Sequence, residues 1–234
     1  MRSGIEAVAF DLDGTLYPNY RLYIRLAPFI LSDWPLLLAF GKARTIIRAE
    51  QAPAQGRPPS ILPSDFYAYQ AALIARMLKV PPELIREKTE RLIYRGWESH
   101  FTKIRLFPHV AETLAAFRQA GLKLGMLSDF PPETKLTCLG IGDYWDTALC
   151  SERFGALKPD RRPFEALAAA LNLPPERILY VGNSRRYDVT GAKRAGMRAA
   201  LVTGLLSGAG KGEYTNVPDF MFHDYRQLRT YVVN

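Results

Sequence analysis

Asp11 and Asp13 stand two positions apart at the end of an apolar run, Ala7-Val8-Ala9-Phe10, and are followed by Gly14-Thr15-Leu16. Side chains at i and i+2 of an extended segment lie on the same side, so the two carboxylates should converge where the strand gives way to a Gly-containing turn. Two like charges that close repel, unless a cation sits between them or one of them holds a proton. Acid/base and metal-assisted catalysis use both arrangements. Taken alone, the segment also reads as an ordinary solvated turn, because Asp, Gly and Thr are common turn residues.

Three later segments bear on that choice. Leu124-Gly125-Met126-Leu127-Ser128-Asp129 is a second apolar run that closes in a hydroxyl and a polar turn. Gly155-Ala156-Leu157-Lys158-Pro159-Asp160 places a lysine directly before a proline, which biases Lys158 towards a loop. Ile178-Leu179-Tyr180-Val181-Gly182-Asn183 is a third apolar run with a polar end, followed by Asp188 and by Gly191-Ala192-Lys193-Arg194-Ala195-Gly196. In this order the four segments resemble motifs one to four of the haloacid dehalogenase-like (HAD) hydrolase superfamily, over residues 5–16 and 105–203.

The elements that would position these residues follow from periodicity. From residue 105 onward, apolar strands at 122–127, 147–150, 178–181, 199–202 and 219–222 alternate with helix-like stretches at 112–120, 163–171 and 188–195. That alternation implies parallel βαβ units, and in such sheets ligands bind beyond the carboxyl ends of the strands, where every motif falls. Between residues 17 and 103 the alternation disappears. Helices are expected at about 20–50, 64–79 and 83–100, with a Pro/Gln/Gly linker over 51–63 and helix starts at Ser64 and at Pro81-Pro82-Glu83. The predicted organisation is thus an α/β Rossmann-like parallel core over 1–17 and 104–234 with an all-helical insert over 18–103, which resembles the superfamily's helical cap. Phe66, Tyr69, Leu73 and Met77 at helical spacing read as packing within the insert, and Leu26 to Phe40 as a buried or partner-facing helix pair.

The resemblance also implies a chemistry. Asp11 would attack phosphorus to form an aspartyl-phosphate, and Asp13 would serve as general acid and then general base. Lys158 would set a fixed positive charge against the phosphoryl oxygens, with Thr15, Ser128 and Asp129 on the phosphate side. Magnesium would be held by Asp11, the carbonyl of Asp13, Asn183 and Asp188. One departure stands out: the fourth motif usually starts Gly-Asp, whereas this chain has Gly182-Asn183. An amide brings no charge, so metal should bind more weakly unless Asp188 compensates. Two other readings stay open at this point. One is the superfamily's metal-free haloacid dehalogenase, which has no need for the leaving-group acid at Asp13. The other is an inactive scaffold that binds an anionic partner.

Composition narrows the setting. The chain has 234 residues, 48% of them apolar, with a formal net charge of +8. The Lys and Arg residues are spread rather than clustered, which argues against nucleic acid, and a small phosphorylated metabolite is the anionic partner that the resemblance implies. Ser207-Gly208-Ala209-Gly210-Lys211-Gly212 lacks the first Gly and the Ser/Thr of a nucleotide-binding loop. Cys138 and Cys150 form no disulfide framework, and His100, His109 and His223 have no metal-ligand spacing. With no unbroken apolar run of spanning length and no signal-like start, a soluble cytoplasmic protein is expected, with a homodimer left open.

Overall fold

The computed structural model describes residues 4–22, 24, 33–52, 65–96, 101, 103–204 and 216–234. Residues 53–63 of the expected 51–63 linker, the Ser64 cap, residues 26–32 of the Leu26–Phe40 pair, His100 and the Ser207–Gly212 loop lie outside these residues, and Gln51 ends a helix instead of opening the linker.

Six parallel strands form one sheet: β1 (Ala7–Phe10), β2 (Lys123–Ser128), β3 (Thr147–Cys150), β4 (Ile178–Gly182), β5 (Arg198–Val202) and β6 (Phe220–Phe222). Their order is β3-β2-β1-β4-β5-β6. The chain winds outward from β1 through β2 to β3 and then returns to β1's other side to build β4 to β6. β1 is therefore the place where the winding reverses, and a crevice opens at its carboxyl end. Registers of Phe10 with both Met126 and Val181 set Asp11 level with Leu127 and Gly182.

Alternation sends side chains to two different layers. Val8, Phe10, Leu124, Met126, Leu179 and Val181 pack against α4 (Val110–Gln119) and α8 (Tyr225–Val233). Ala7, Ala9, Leu127, Ile178 and Tyr180 pack on the other face against α6 (Arg161–Leu171) and α7 (Thr190–Arg194). Because helices cover both faces, β1 reads as an uninterrupted apolar run rather than an alternating one, and all four of its residues are buried. Asp11 continues the parity of Ala7 and Ala9, which aims it at the side where Tyr180 lies.

The stretch between β1 and β2 contains α1 (Trp34–Gln51), α2 (Phe66–Leu78) and α3 (Pro82–Thr89), the last running into a π turn at Glu90–Arg95. Helix ends carry local explanations. The cap of α2 is Asp65, whose carboxylate accepts the Ala68 N–H at 2.9 Å, and α3 begins at Pro82, where a missing N–H costs nothing. Phe66 and Leu73 are buried in a separate apolar cluster with Leu36, Phe40 and Ile47, and Tyr69 and Met77 pack at its edge. Leu157, from the loop before Lys158, joins the same cluster, so the helices rest on the core next to the motifs. Trp34 and Leu38 lie on the opposite, exposed face of α1. The expected 188–195 helix starts instead as a π turn at Arg185–Val189 before α7. Among the described residues no helix is long and apolar enough to cross a membrane.

One contact tests the α6–α7 packing. A Cβ at Gly191 would overlap the ring of Phe164, which is fully buried and packs against Tyr180. Gly191→Ala should cost about 1–3 kcal/mol through overpacking, read as a lower urea midpoint at unchanged slope.

Candidate active site

Lys158 organises the carboxyl end of the sheet. Its ammonium lies 2.7 Å from Asp11 Oδ1 and 2.7 Å from Asp188 Oδ1, and donates to the Tyr180 hydroxyl at 3.3 Å. All three ion partners are removed from water, at 3%, 6% and 2% exposure for Lys158, Asp11 and Asp188. Burial alone would drive the ammonium down, but the two carboxylates outweigh it and hold Lys158 well above the ordinary lysine range. Asp11 goes the other way. Desolvation raises it to about 7 despite Lys158, with Asp188 and Asp13 adding to the rise. Its second oxygen accepts the Thr15 hydroxyl at 2.6 Å, which fixes the carboxylate's rotamer.

Asp188 has a different engagement from the metal role expected of it. Its Oδ1 belongs to Lys158, and its Oδ2 accepts the backbone N–H groups of Asn183 and Ser184 at 3.1 and 2.9 Å. It shapes the loop that carries Asn183. Asn183 itself reaches Asp13: its amide nitrogen donates to the Asp13 carbonyl at 3.2 Å. The two ends of such an amide are interchangeable by a flip, which would put an oxygen beside that carbonyl.

Asp13 is held by residues that its neighbourhood in sequence does not announce. Both of its oxygens accept from Lys135 on α5 (Glu133–Cys138), at 2.6 and 2.8 Å, and Oδ1 also accepts the Tyr17 hydroxyl. Tyr17 is fully buried, edge-on to Phe101 and beside the carboxylates. Ser128, also fully buried, uses its oxygen to accept the Phe130 N–H at 3.1 Å.

The helical insert contributes directly. Arg44 and Arg48, one turn apart on α1, both meet Asp129. Arg48 bonds Asp129 Oδ2 at 2.7 Å and the Lys158 carbonyl at 2.9 Å, while Asp129 Oδ1 accepts the Lys158 N–H at 3.0 Å. These cations, with Lys158, overcome desolvation and keep Asp129 below the usual carboxylate range. Asp129 was expected on the phosphate. In the structure its carboxylate lies between Arg44 and Arg48 and accepts the Lys158 N–H, and so supports the lysine loop. Arg44 also pairs with buried Glu152, which accepts the Tyr94 hydroxyl at 2.9 Å, and it stacks 4.3 Å over the Phe130 ring.

Sequence reasoning missed Tyr17, Lys135, Arg44, Arg48 and Glu152. The i, i+4 arginine pair on one helix face was the only local signal among them.

Among the described residues no three His, Cys, Asp or Glu side chains converge as a metal cluster. The donors that could hold a cation are one carboxylate (Asp11), one carbonyl (Asp13) and one amide (Asn183). All are hard oxygen donors, and magnesium is commonly held by one or two carboxylates with water completing its shell, so the set fits a weakly charged magnesium site. Cavity size does not mark this site. A cavity of about 520 Å³ lies between α2 and α3 and is lined by Tyr67, Gln70, Glu83 and Thr89, with none of the carboxylates above.

Comparison with known proteins agrees with this geometry. The chain is 28% identical over 243 residues to a phosphoglycolate phosphatase of Salmonella typhi, covering 96% of this chain and 91% of that protein. It is 28% identical over 214 residues to a glyceraldehyde 3-phosphate phosphatase of Methanothermobacter thermautotrophicus, covering 88% of each. Among solved structures, a dehalogenase with an intermediate complex superposes at a TM-score of 0.68 with 16% identity and full coverage of both chains, a likeness of fold. The model of the haloacid dehalogenase-like hydrolases matches residues 5–196, and with the four motifs gathered at one end of a parallel sheet, this chain belongs to that family.

Proposed function

We propose that the protein is a magnesium-dependent phosphatase of a small phosphomonoester, working through an aspartyl-phosphate on Asp11. The observation that carries the reading is the division of labour between two carboxylates two residues apart. Asp11 is buried and fixed by Lys158 and Thr15, as a nucleophile must be, and Asp13 is separately held by Lys135 and Tyr17. The names of the two curated relatives, both acting on small phosphoesters, support the same class of substrate.

In this mechanism an Asp11 oxygen attacks phosphorus and the bond from phosphorus to the ester oxygen breaks. Asp13 gives its proton to the departing alkoxide and, now ionised, takes one from the water that cleaves the aspartyl-phosphate to regenerate Asp11 and release phosphate. Lys158 keeps Asp11 aligned and stabilises the charge that builds on the phosphoryl oxygens. Ser128 and main-chain N–H groups after β2 would hold the transferring group. Magnesium on Asp11, the Asp13 carbonyl and Asn183 would offset repulsion between carboxylate and phosphate. The need is clear from the charges: with Asp13 protonated, Asp11 and Asp188 already balance Lys158 and Lys135, which leaves no net positive charge to meet an anionic substrate. A dehalogenase reading leaves the elaborate support of Asp13 without a purpose.

Asp11→Asn should reduce turnover of a generic aryl phosphate by about 10⁴-fold or more, since an amide is a poor nucleophile. The same variant should be more stable than the parent without magnesium. Asp11's folded-state value is raised, so its burial costs nothing below about pH 4, costs progressively more as pH climbs to about 7, and is fully unfavourable above that. Thermal melts of both proteins at pH 5 and 8 should therefore show the larger gain at pH 8. A loss of stability at pH 8 would mean that Asp11's pairing with Lys158 outweighs its desolvation.

Asn183→Asp should lower the magnesium concentration for half-maximal activity by about tenfold, because it adds a charge to the donor set. An unchanged concentration would remove Asn183 from the ligands.

A further inference from the structure

The loop after β1 turns back on itself. Asp13 and Tyr17 form an isolated bridge and the Leu16 N–H bonds the Leu12 carbonyl at 3.0 Å, so the chain returns past Gly14 when it reaches Asn19. Gly14 has a φ of +84°, and its missing side chain makes room there. A Cβ at Gly14 would overlap Asn183 Nδ2 and stand 2.7 Å from Asn19 Nδ2, so two amides from distant segments converge on one point. Asn183 Nδ2 is tied to the Asp13 carbonyl at 3.2 Å, whereas Asn19 Oδ1 is buried with no hydrogen-bond partner. Two N–H₂ ends therefore meet beside Gly14 while an amide oxygen goes without a donor. An end-for-end turn of one amide converts two donors into a donor and an acceptor.

Resting on the phosphatase reading above and on its magnesium, we propose that Asn19 is a positioning residue for Asn183, its amide setting which end of the Asn183 side chain faces the cation. Turning Asn183 puts its oxygen beside the Asp13 carbonyl, and two oxygens side by side are favourable only with a cation to share. The same turn gives the Asn19 N–H₂ an acceptor, which holds the oxygen in place. An aspartate at 183 would need no such partner. Both ends of a carboxylate are oxygens, whereas an amide meets a cation with oxygen in one orientation and with N–H hydrogens in the other. Groups that orient a metal ligand without touching the metal typically change its affinity by about 10- to 100-fold.

The test is magnesium binding by the full-length protein without substrate. Kd is taken from the rise of Tm over a magnesium chloride titration at constant ionic strength, since the stabilisation grows with the logarithm of one plus the ratio of magnesium to Kd. Asn19→Ala should raise Kd about tenfold. In an Asn183→Asp background the same substitution should change Kd by about twofold or less, because a carboxylate has no wrong end to select against. Tm without magnesium reports any damage to the fold, and Asn19→Leu repeats the comparison with the space filled. An equal loss of affinity in both backgrounds overturns the proposal and makes Asn19 a support of the loop alone. No loss in either background also overturns it. If the parent shows neither a magnesium-dependent Tm nor magnesium-dependent hydrolysis of an aryl phosphate, the metal reading falls and takes this one with it. Magnesium-dependent hydrolysis with Asn19→Ala unaffected defeats only the role of Asn19.

Discussion

The buried ammonium of Lys158 between Asp11 and Asp188 is the interaction on which the rest of the site depends. Placing one cation and two anions where water is excluded is expensive, and removing the cation would leave two buried carboxylates uncompensated. The surrounding structure is arranged so that none of them can relax. Asp188 is tied to the backbone of its own loop, Asp11 to Thr15, and the main chain of Lys158 to Asp129 and Arg48. The fold thus holds the proposed nucleophile in an environment that raises it to about 7 instead of leaving it an ordinary solvated carboxylate. Instability of this kind at a reactive group is a common cost of function.

That constraint reaches into the helical insert. Arg44 and Arg48 of α1 take up the carboxylates of Asp129 and Glu152, and Leu157 sits in the insert's own apolar cluster. Helix α1 is therefore fastened to the core by buried charge as well as by apolar contact. Tyr94 and Gln70 extend the same hydrogen-bonded chain into the π turn and α2. A covering element attached in this way helps to exclude water from the carboxylates and so strengthens every electrostatic contact among them.

The α/β class, the strand positions and the convergence of four motifs were legible in the sequence. Apolar runs bounded by turn residues and separated by helical periodicity permit little else, and the end of such a run is where Asp11 and Asp13 fall. The separate character of the stretch before β2 was legible for the same reason, in that its periodicity changes. What the sequence could not supply was which group each carboxylate meets. Asp129 and Asp188 looked like ligands for phosphate and metal, yet tertiary structure spends the first on Arg44, Arg48 and the Lys158 loop, and the second on Lys158 and two backbone N–H groups. Lys135 and Tyr17 carry no local signal, because their importance comes from packing α5 and the first turn after β1 against one carboxylate. Local sequence determines backbone conformation and side-chain direction through short-range sterics. The pairing of charges is decided by which distant segments are brought within about 3 Å in a medium too dry for water to substitute, and only the folded chain decides that.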